Sequence, residues 1–509
     1  MDPKNLRQLI EHRASTQPEK QFLFSEADGR SFTYSQFDQA VNRAAQLLLA
    51  NDIAKGDVIS LLLPNGVAYV IAYFACWKIG AIAGPVNSLL KPPEMAFVMA
   101  HCGAKALLVH EDFRPSVKSV TSHLSALRAI IPFDDEGRST QQFEGAVDKL
   151  SSVACDRDDE AIIVYTSGTT GKPKGCLLTH GNLIANARQI SQWLTFTEAD
   201  RLLTVMPLFH MNAVSVTTLS AIYAGGSTVV CKKFSASRFW QTISNYQITS
   251  FGSVATMLAM LLAKFPQGVP NGLESEQLRF ALCGSAPVPA EVIRRFEETF
   301  KCLVVEGYGL SESTCRSTFN PPDERRRPGS CGLPIGNEMK IFDDQDRELP
   351  SGKVGEIVLR GENILKGYYN DPAASAQAFR NGWFHTGDIG YCDADGFFYI
   401  VDRKSDMIIR GGENIYPREI DEVLYQHPAV SAAATIGVPD ELYGEEVTAF
   451  VVLKEGANAV PADLINFCRQ RLADYKCPKT VRLVRDIPRG PTGKLLKREL
   501  AREYSEIAD

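Results

Sequence analysis

The residues most able to do chemistry stand together at 166–175, Thr-Ser-Gly-Thr-Thr-Gly-Lys-Pro-Lys-Gly, directly after the apolar run Ala161-Ile-Ile-Val-Tyr165. A buried strand that opens into a glycine-rich loop aims backbone N–H groups at an anion, and the glycines let that backbone come close. The hydroxyls of Thr166, Ser167, Thr169 and Thr170 add donors, while Lys172 and Lys174 offset negative charge. A solvated turn between two strands is the other reading of such a loop; this density of donors points to phosphate. It is not the common P-loop, because Pro173 stands where GxxxxGK[ST] needs glycine.

Other candidates are spread along the chain. Phe209 and His210 stand at the end of Leu202-Leu-Thr-Val-Met-Pro-Leu-Phe-His210, where a strand ending at Pro207 would leave them at its tip. Ligands of α/β proteins usually bind at such tips, although a lone histidine there can equally be structural. Asp388 follows Gly387 in Trp383-Phe-His-Thr-Gly-Asp-Ile389. A carboxylate after a tight glycine turn can accept two hydrogen bonds from a ribose diol, or can simply be a turn aspartate. Lys494 ends the glycine/proline loop Pro488-Arg-Gly-Pro-Thr-Gly-Lys494.

The elements that must position these groups alternate. A helix is predicted over 4–16, a buried strand at 58–63, a helix over 67–79 and a strand at 106–110. Residues 134–159 read as a connection to the glycine-rich loop. Strands at 278–284 and 303–306 flank a helix over about 289–300, with proline in its first turn. This is an α/β architecture: a large N-terminal multi-sheet domain over 1–402 and a small α+β domain over 403–509. The boundary is placed where charges interrupt the apolar pattern of Tyr399-Ile-Val-Asp-Arg-Lys-Ser-Asp406, before a new strand at Met407. Within the small domain, helices are expected from 417, over 461–475 and over 495–504, with strands near 430–437 and 446–453.

Composition narrows the class. A chain of 509 residues needs more than one core. Net charge is −6, which leaves no electrostatic footprint for nucleic acid. The N-terminus lacks the apolar stretch of a signal peptide. The most apolar region, 58–86, is broken by Pro64, Asn65 and Lys78, so no membrane span is expected. Twelve cysteines occur without a CxxC pair and eight histidines without HExxH. Reduced, buried thiols in a cytoplasmic protein are the expectation.

Taken in order, these stretches resemble the signature of the AMP-forming adenylating enzymes: acyl-CoA synthetases, aryl-CoA ligases, luciferases and peptide-synthetase adenylation domains. The resemblance covers nearly the whole chain and is strongest to acyl-CoA synthetases. It implies ATP, Mg²⁺ and coenzyme A. The loop from Thr166 through Ser167, Gly168, Thr169, Thr170, Gly171, Lys172 and Lys174 would cradle phosphates. Gly284, Ser285 and Ala286 would flank adenine, and Tyr308, between Gly307 and Gly309, would stack on it. Ser311 stands where the family usually has threonine and keeps the hydroxyl. Glu312, with Thr169, would hold the metal, Asp388 the ribose, and Arg403 ribose or phosphate. Ser405 falls at the hinge, where aspartate or lysine is more usual. Lys494 matches the catalytic lysine of the mobile domain. Gly411 and Gly412 would line a tunnel for the pantetheine arm of CoA.

The chemistry explains the demand. A carboxylate has no adequate leaving group, so its attack on the α-phosphorus of ATP exchanges oxide for AMP. Two anions meet, and positive charge must spread over both. The implied activity is acid–CoA ligation through an acyl-adenylate. A carrier protein acting in trans could replace CoA as acceptor, and an inactive nucleotide-binding scaffold is the alternative of another class. A serine hydrolase is disfavoured by the lack of a GxSxG elbow. His210, implied to border the carboxylate, would line the acid pocket with Met211, Asn212, Val254, Gly284, Thr314, Cys315 and Arg316. That set is small and rather polar, pointing to a small or medium acid. Arg316 could meet a second anion on it, although arginines more often form surface ion pairs.

Overall fold

A computed structural model describes residues 3–121, 124–135, 138, 150, 153–166, 173–284, 288, 290–489, 496–497 and 499–502. Two seven-stranded sheets form the larger part. One runs in the order Leu303–Glu306, Phe280–Cys283, Ser250–Ser253, Arg201–Thr204, Ser227–Val230, Gln21–Ser25 and Ser31–Thr33, all parallel except the last. Its central strands are buried on both faces, as a parallel sheet covered by helices must be. The second sheet contains Val58–Leu62, Ile82–Pro85, Ala106–Val109, Glu160–Thr166 and Lys174–Thr179. The helix Val67–Lys78 has every residue buried, and one continuous core extends from Leu6 to Phe398.

The two strands flanking the glycine-rich loop pair antiparallel, with Thr166 opposite Lys174. The second of them enters the helix His180–Trp193 through a capping box in which Thr179 and Asn182 exchange hydrogen bonds of 2.9 and 3.1 Å. The strand expected to reach Pro207 stops at Thr204. Beyond it the Asn65 side chain donates to the Met206 carbonyl (2.9 Å) and accepts from the Leu208 amide (2.7 Å), replacing the sheet ladder. A π-helix follows at Asn212–Leu219, where the Ala213 carbonyl accepts from both the Thr217 and Thr218 hydroxyls (3.1 and 2.9 Å). Such helices are rare and favour functional sites.

A five-stranded sheet holds Trp383–Cys392 and Phe398–Arg403. The small C-terminal domain has its own five-stranded sheet, with Val430–Asp440 against Gly444–Leu453 at its centre. The helices Pro417–Tyr425 and Pro461–Arg469 supply side chains to its separate core. The second of these was expected to reach residue 475. It ends at Arg469 because the chain turns back, burying Cys477 and pairing Lys476 with Glu419 at 2.7 Å. Asp402, for which the sequence suggested no role, caps the first helix from the preceding strand, accepting from the Arg418 amide at 2.8 Å.

All twelve cysteines are free thiols. Among the described residues no helix is long and apolar enough to cross a membrane. Residues Ser167, Gly168, Thr169, Thr170, Gly171, Lys172, Ser285, Ala286 and Lys494 lie outside the described set.

Candidate active site

The carboxyl ends of the parallel strands converge with the sheet at 383–403. Gly307 follows Leu303–Glu306, and its amide donates to the Cys283 carbonyl on the neighbouring strand (2.9 Å). Gly284 stands at the end of that neighbour, and a Cβ there would come within 2.6 Å of the Gly307 carbonyl oxygen. Only glycine permits these strand ends to approach so closely. Tyr308 is buried, and its hydroxyl donates to Asp388 Oδ2 at 2.6 Å. Burial, reinforced by the Asp388 carboxylate, holds that hydroxyl protonated.

Asp388 sits within the strand Trp383–Cys392 rather than after a free-standing turn. The strand bulges there: Glu356 faces Ile389, whereas Val358 faces His385, so extra residues loop out around Gly387. Gly387 adopts φ +71, which favours glycine. The bulge turns Asp388 toward Tyr308 on one side and toward its cross-strand partner Arg403 on the other, with Arg403 Nε 3.4 Å from Asp388 Oδ1. Tyr308, Asp388 and Arg403 thus form one cluster.

Glu312 lies in the short turn Ser311–Ser313. Its Oε1 accepts from the Tyr368 hydroxyl at 3.1 Å. Tyr368 pairs across the sheet with Cys176 and carries Lys174 Nζ 5.2 Å from its ring centroid. Thr166 Oγ1 approaches the Cys176 sulfur at 3.9 Å. Both flanks of the glycine-rich loop therefore stand beside Glu312, joined through Tyr368 and Cys176. Among the described residues no Lys or Arg nitrogen comes within 4.0 Å of the Glu312 carboxylate. A half-buried carboxylate with no cation against it among the described residues is of a kind that suits a hard divalent metal.

The residues expected to line the acid pocket, Met211, Asn212, Val254, Thr314, Cys315 and Arg316, are buried. His210 precedes the π-helix. Its Nε2 is buried without a hydrogen-bond partner, and burial pushes its pKa down to about 4, so the ring is neutral. Thr314 holds φ +66, a strained conformation for a β-branched residue. Its hydroxyl donates to the Asn363 carbonyl at 2.7 Å. Gly411 and Gly412 belong to the small domain, where the Gly411 amide donates to the Tyr443 carbonyl (2.9 Å). Ser405 is exposed and donates to Asp406 (2.9 Å). The Asp406 amide in turn donates to the carbonyl of Arg403 (3.0 Å), so Ser405 adjoins the Tyr308 cluster, whereas the described contacts link neither Gly411 nor Gly412 to it.

Sequence reasoning missed Tyr368 and the asparagines Asn186 and Asn363 that hold the 314–316 segment. Tyr368 lies 56 residues from Glu312, and no spacing rule connects them.

Residues 10–369 match the family described as AMP-binding enzyme, and residues 419–494 match its C-terminal domain. A sulfoacetate–CoA ligase of Cupriavidus necator is 36% identical over 498 residues, covering 97% of each chain. A long-chain-fatty-acid–CoA ligase of Mycobacterium tuberculosis is 34% identical, covering 99% of each. The crystal structure of ATP-bound MatB from Rhodopseudomonas palustris superposes with a TM-score of 0.92 at 29% identity, covering 99% of this chain and 100% of that one.

Proposed function

We propose a division of labour for a chain that belongs to the AMP-binding enzyme family and is an AMP-forming acid–CoA ligase. Acid and ATP give acyl-AMP and pyrophosphate, and the CoA thiol then gives acyl-CoA and AMP. The observation that carries the assignment of roles is the convergence of Tyr308, Asp388 and Arg403 on one point, the first two from positions 80 residues apart. A carboxylate has about four lone-pair sites. Tyr308 and Arg403 each engage one oxygen of Asp388, which fixes the group and leaves sites for the two ribose hydroxyls. The Tyr308 ring, held by its own hydroxyl, offers a face to adenine, framed by Gly284, Ser285, Ala286, Gly307 and Gly309.

Glu312, next in sequence to the hydroxyl of Ser311, would hold Mg²⁺ together with Thr169. When bound, that ion supplies positive charge against the phosphate oxygens. The loop at 166–174 contributes N–H groups, with Lys172 and Lys174, to the same end. Lys494 bridges the attacking carboxylate and the α-phosphate. For the second step the domain over 403–509 turns about Ser405, withdrawing Lys494 and bringing Gly411 and Gly412 to the thiol's entry. His210 borders the reacting carboxylate as a neutral ring. The named relatives act on acids as unlike as sulfoacetate and long-chain fatty acids, so the acid is inferred from the residues expected to line its pocket, a small and rather polar set.

Pyrophosphate release measured against a panel of carboxylic acids, with and without CoA, tests the reading. Acid-dependent release with acyl-CoA formed only when CoA is added is expected. Release without a CoA product would redirect the acyl group to a carrier protein. Silence with every acid despite bound ATP would leave a nucleotide-binding scaffold.

A further inference from the structure

Arg316 is 1% exposed, and its Nε and Nη2 lie buried without a hydrogen-bond partner. Among the described residues no carboxylate comes within 4.0 Å of it. Its recorded side-chain neighbours are the Phe319 ring, 5.4 Å from Cζ to centroid, and the backbone of Gly284, where a Cβ would stand 2.7 Å from Nη2. Unlike a lysine, a guanidinium cannot escape burial by losing its proton. A buried charge left unpaired is strongly unfavourable, so a partner beyond the described residues is called for.

The surroundings hold this charge in place. The Arg316 amide donates to Asn186 Oδ1 (3.3 Å), and its carbonyl accepts from Asn186 Nδ2 (2.7 Å) and Asn363 Nδ2 (3.2 Å). Asn186 Oδ1 also accepts from the Ser215 hydroxyl of the π-helix (2.9 Å), tying Arg316 to the element that begins beside His210. The strained Thr314 stands two residues earlier, and strain of that kind persists where the surroundings over-determine it. The nucleotide groups, Asp388 and Glu312, make their contacts to other residues. Arg316 lies instead in the segment tied through Asn186 and Ser215 to the π-helix, which begins two residues after His210, and the His210 Nε2 is also unpartnered among the described residues.

We infer that Arg316 reads a second anionic group on the acid, so that the preferred substrate is a short dianion: a dicarboxylate, or a carboxylate bearing a sulfonate. The inference rests on the ligase reading. The planar fork of the guanidinium matches such oxyanions through two parallel hydrogen bonds. A hydrocarbon in the same place leaves the charge unpaired, and sites built to pair a polar group reject the analogue that lacks it.

The test is kcat/KM of the full chain, with ATP, Mg²⁺ and CoA, for acids matched except that the far methyl becomes an anion. Suitable pairs are propionate with malonate and butyrate with succinate, with 3-sulfopropionate added. One dianion should exceed its matched monoanion by at least about a hundredfold. Arg316→Met should abolish that ratio, with the KM for ATP staying within about threefold, and Arg316→Lys should keep part of it. A wild-type preference for monoanions, or a ratio that Arg316→Met leaves intact, overturns the inference. So does a variant whose defect is in the KM for ATP, which would place Arg316 on the nucleotide. If Arg316→Met does not fold, the wild-type ratio and Arg316→Lys decide. Turnover of monoanions alone leaves the ligase standing without this specificity, whereas no turnover with any acid removes the ligase reading itself.

Discussion

The two sides of the proposed site treat their charges differently. On the nucleotide side both oxygens of Asp388 are engaged, by Tyr308 and Arg403, before any ligand arrives. On the acid side Arg316 and His210 bury polar nitrogens that nothing in the described chain engages. The first arrangement is preorganised and costs no rearrangement on binding. The second is incomplete until the right ligand enters, so it discriminates. A ligase that always uses ATP but must choose among acids would place its satisfied groups and its unsatisfied ones in this way.

The largest effect should come from Lys494, which is proposed to serve both sides. Lys494→Ala should raise the adenylation barrier by about 2–4 kcal/mol or more, while transfer from preformed acyl-AMP to CoA is far less affected. Equal loss in both half-reactions, measured separately, would remove the bridging role. Asp388→Ala should act on one side alone. It deletes a charged partner of Tyr308 and Arg403, so kcat/KM for ATP should fall by about 2–3 kcal/mol, by the same factor for every acid. That is the reverse of the pattern expected for Arg316→Met, and an acid-dependent loss would blur the division.

pH separates the sides by sign. Burial pushes His210 down from 6.5 to about 4, so the unfolded chain binds a proton there that the folded chain refuses. Its contribution to stability is intact above pH 6.5 and is lost as pH falls toward 4. Glu306, which ends the strand before Gly307, is pushed by burial up from 4.5 to about 7. Its contribution is intact below pH 4.5 and is lost as pH rises through 7. His210→Asn should flatten the acid limb of the stability profile and Glu306→Gln the alkaline limb, each by about 2 kcal/mol in chemical denaturation. His180, also pushed to about 4 by burial, should leave some acid slope in the first variant. Limbs unchanged in both variants would mean that neither group governs them. The smallest effect is expected from Tyr308→Phe, about 1 kcal/mol in ATP affinity, since Asp388 keeps Arg403. A loss as large as that of Asp388→Ala would make the hydroxyl, not the carboxylate, the principal ribose contact.

The alternation of strand and helix, and the strand that opens into the glycine-rich loop, could be read directly, because burial on a sheet and the freedom of glycine are local properties. So could the residue types of the site, from Tyr308 and Glu312 to Asp388. Their mutual geometry was not legible. Tyr308 meets Asp388 across two sheets, and the bulge at Gly387 that turns Asp388 inward depends on the register with Glu356 and Val358. Tyr368, which holds Glu312, lies on a two-residue strand that exists only because it pairs with Lys174–Thr179. For Arg316 the sequence left a second anion and a surface ion pair both open, and burial without a partner among the described residues is what separates them.

By itself, then, the order of residues determined the α/β class and a loop of a type suited to phosphate, which follow from side-chain type and short-range pattern, while the groups expected to make an acyl-adenylate came from the resemblance to a known family. Only the tertiary structure decided which of those groups are satisfied and which wait for a ligand. Burial and hydrogen-bond partnership are properties of segments brought together from distant parts of the chain, and Arg316 acquires its unpaired charge only when Gly284, Asn186 and Asn363 close around it.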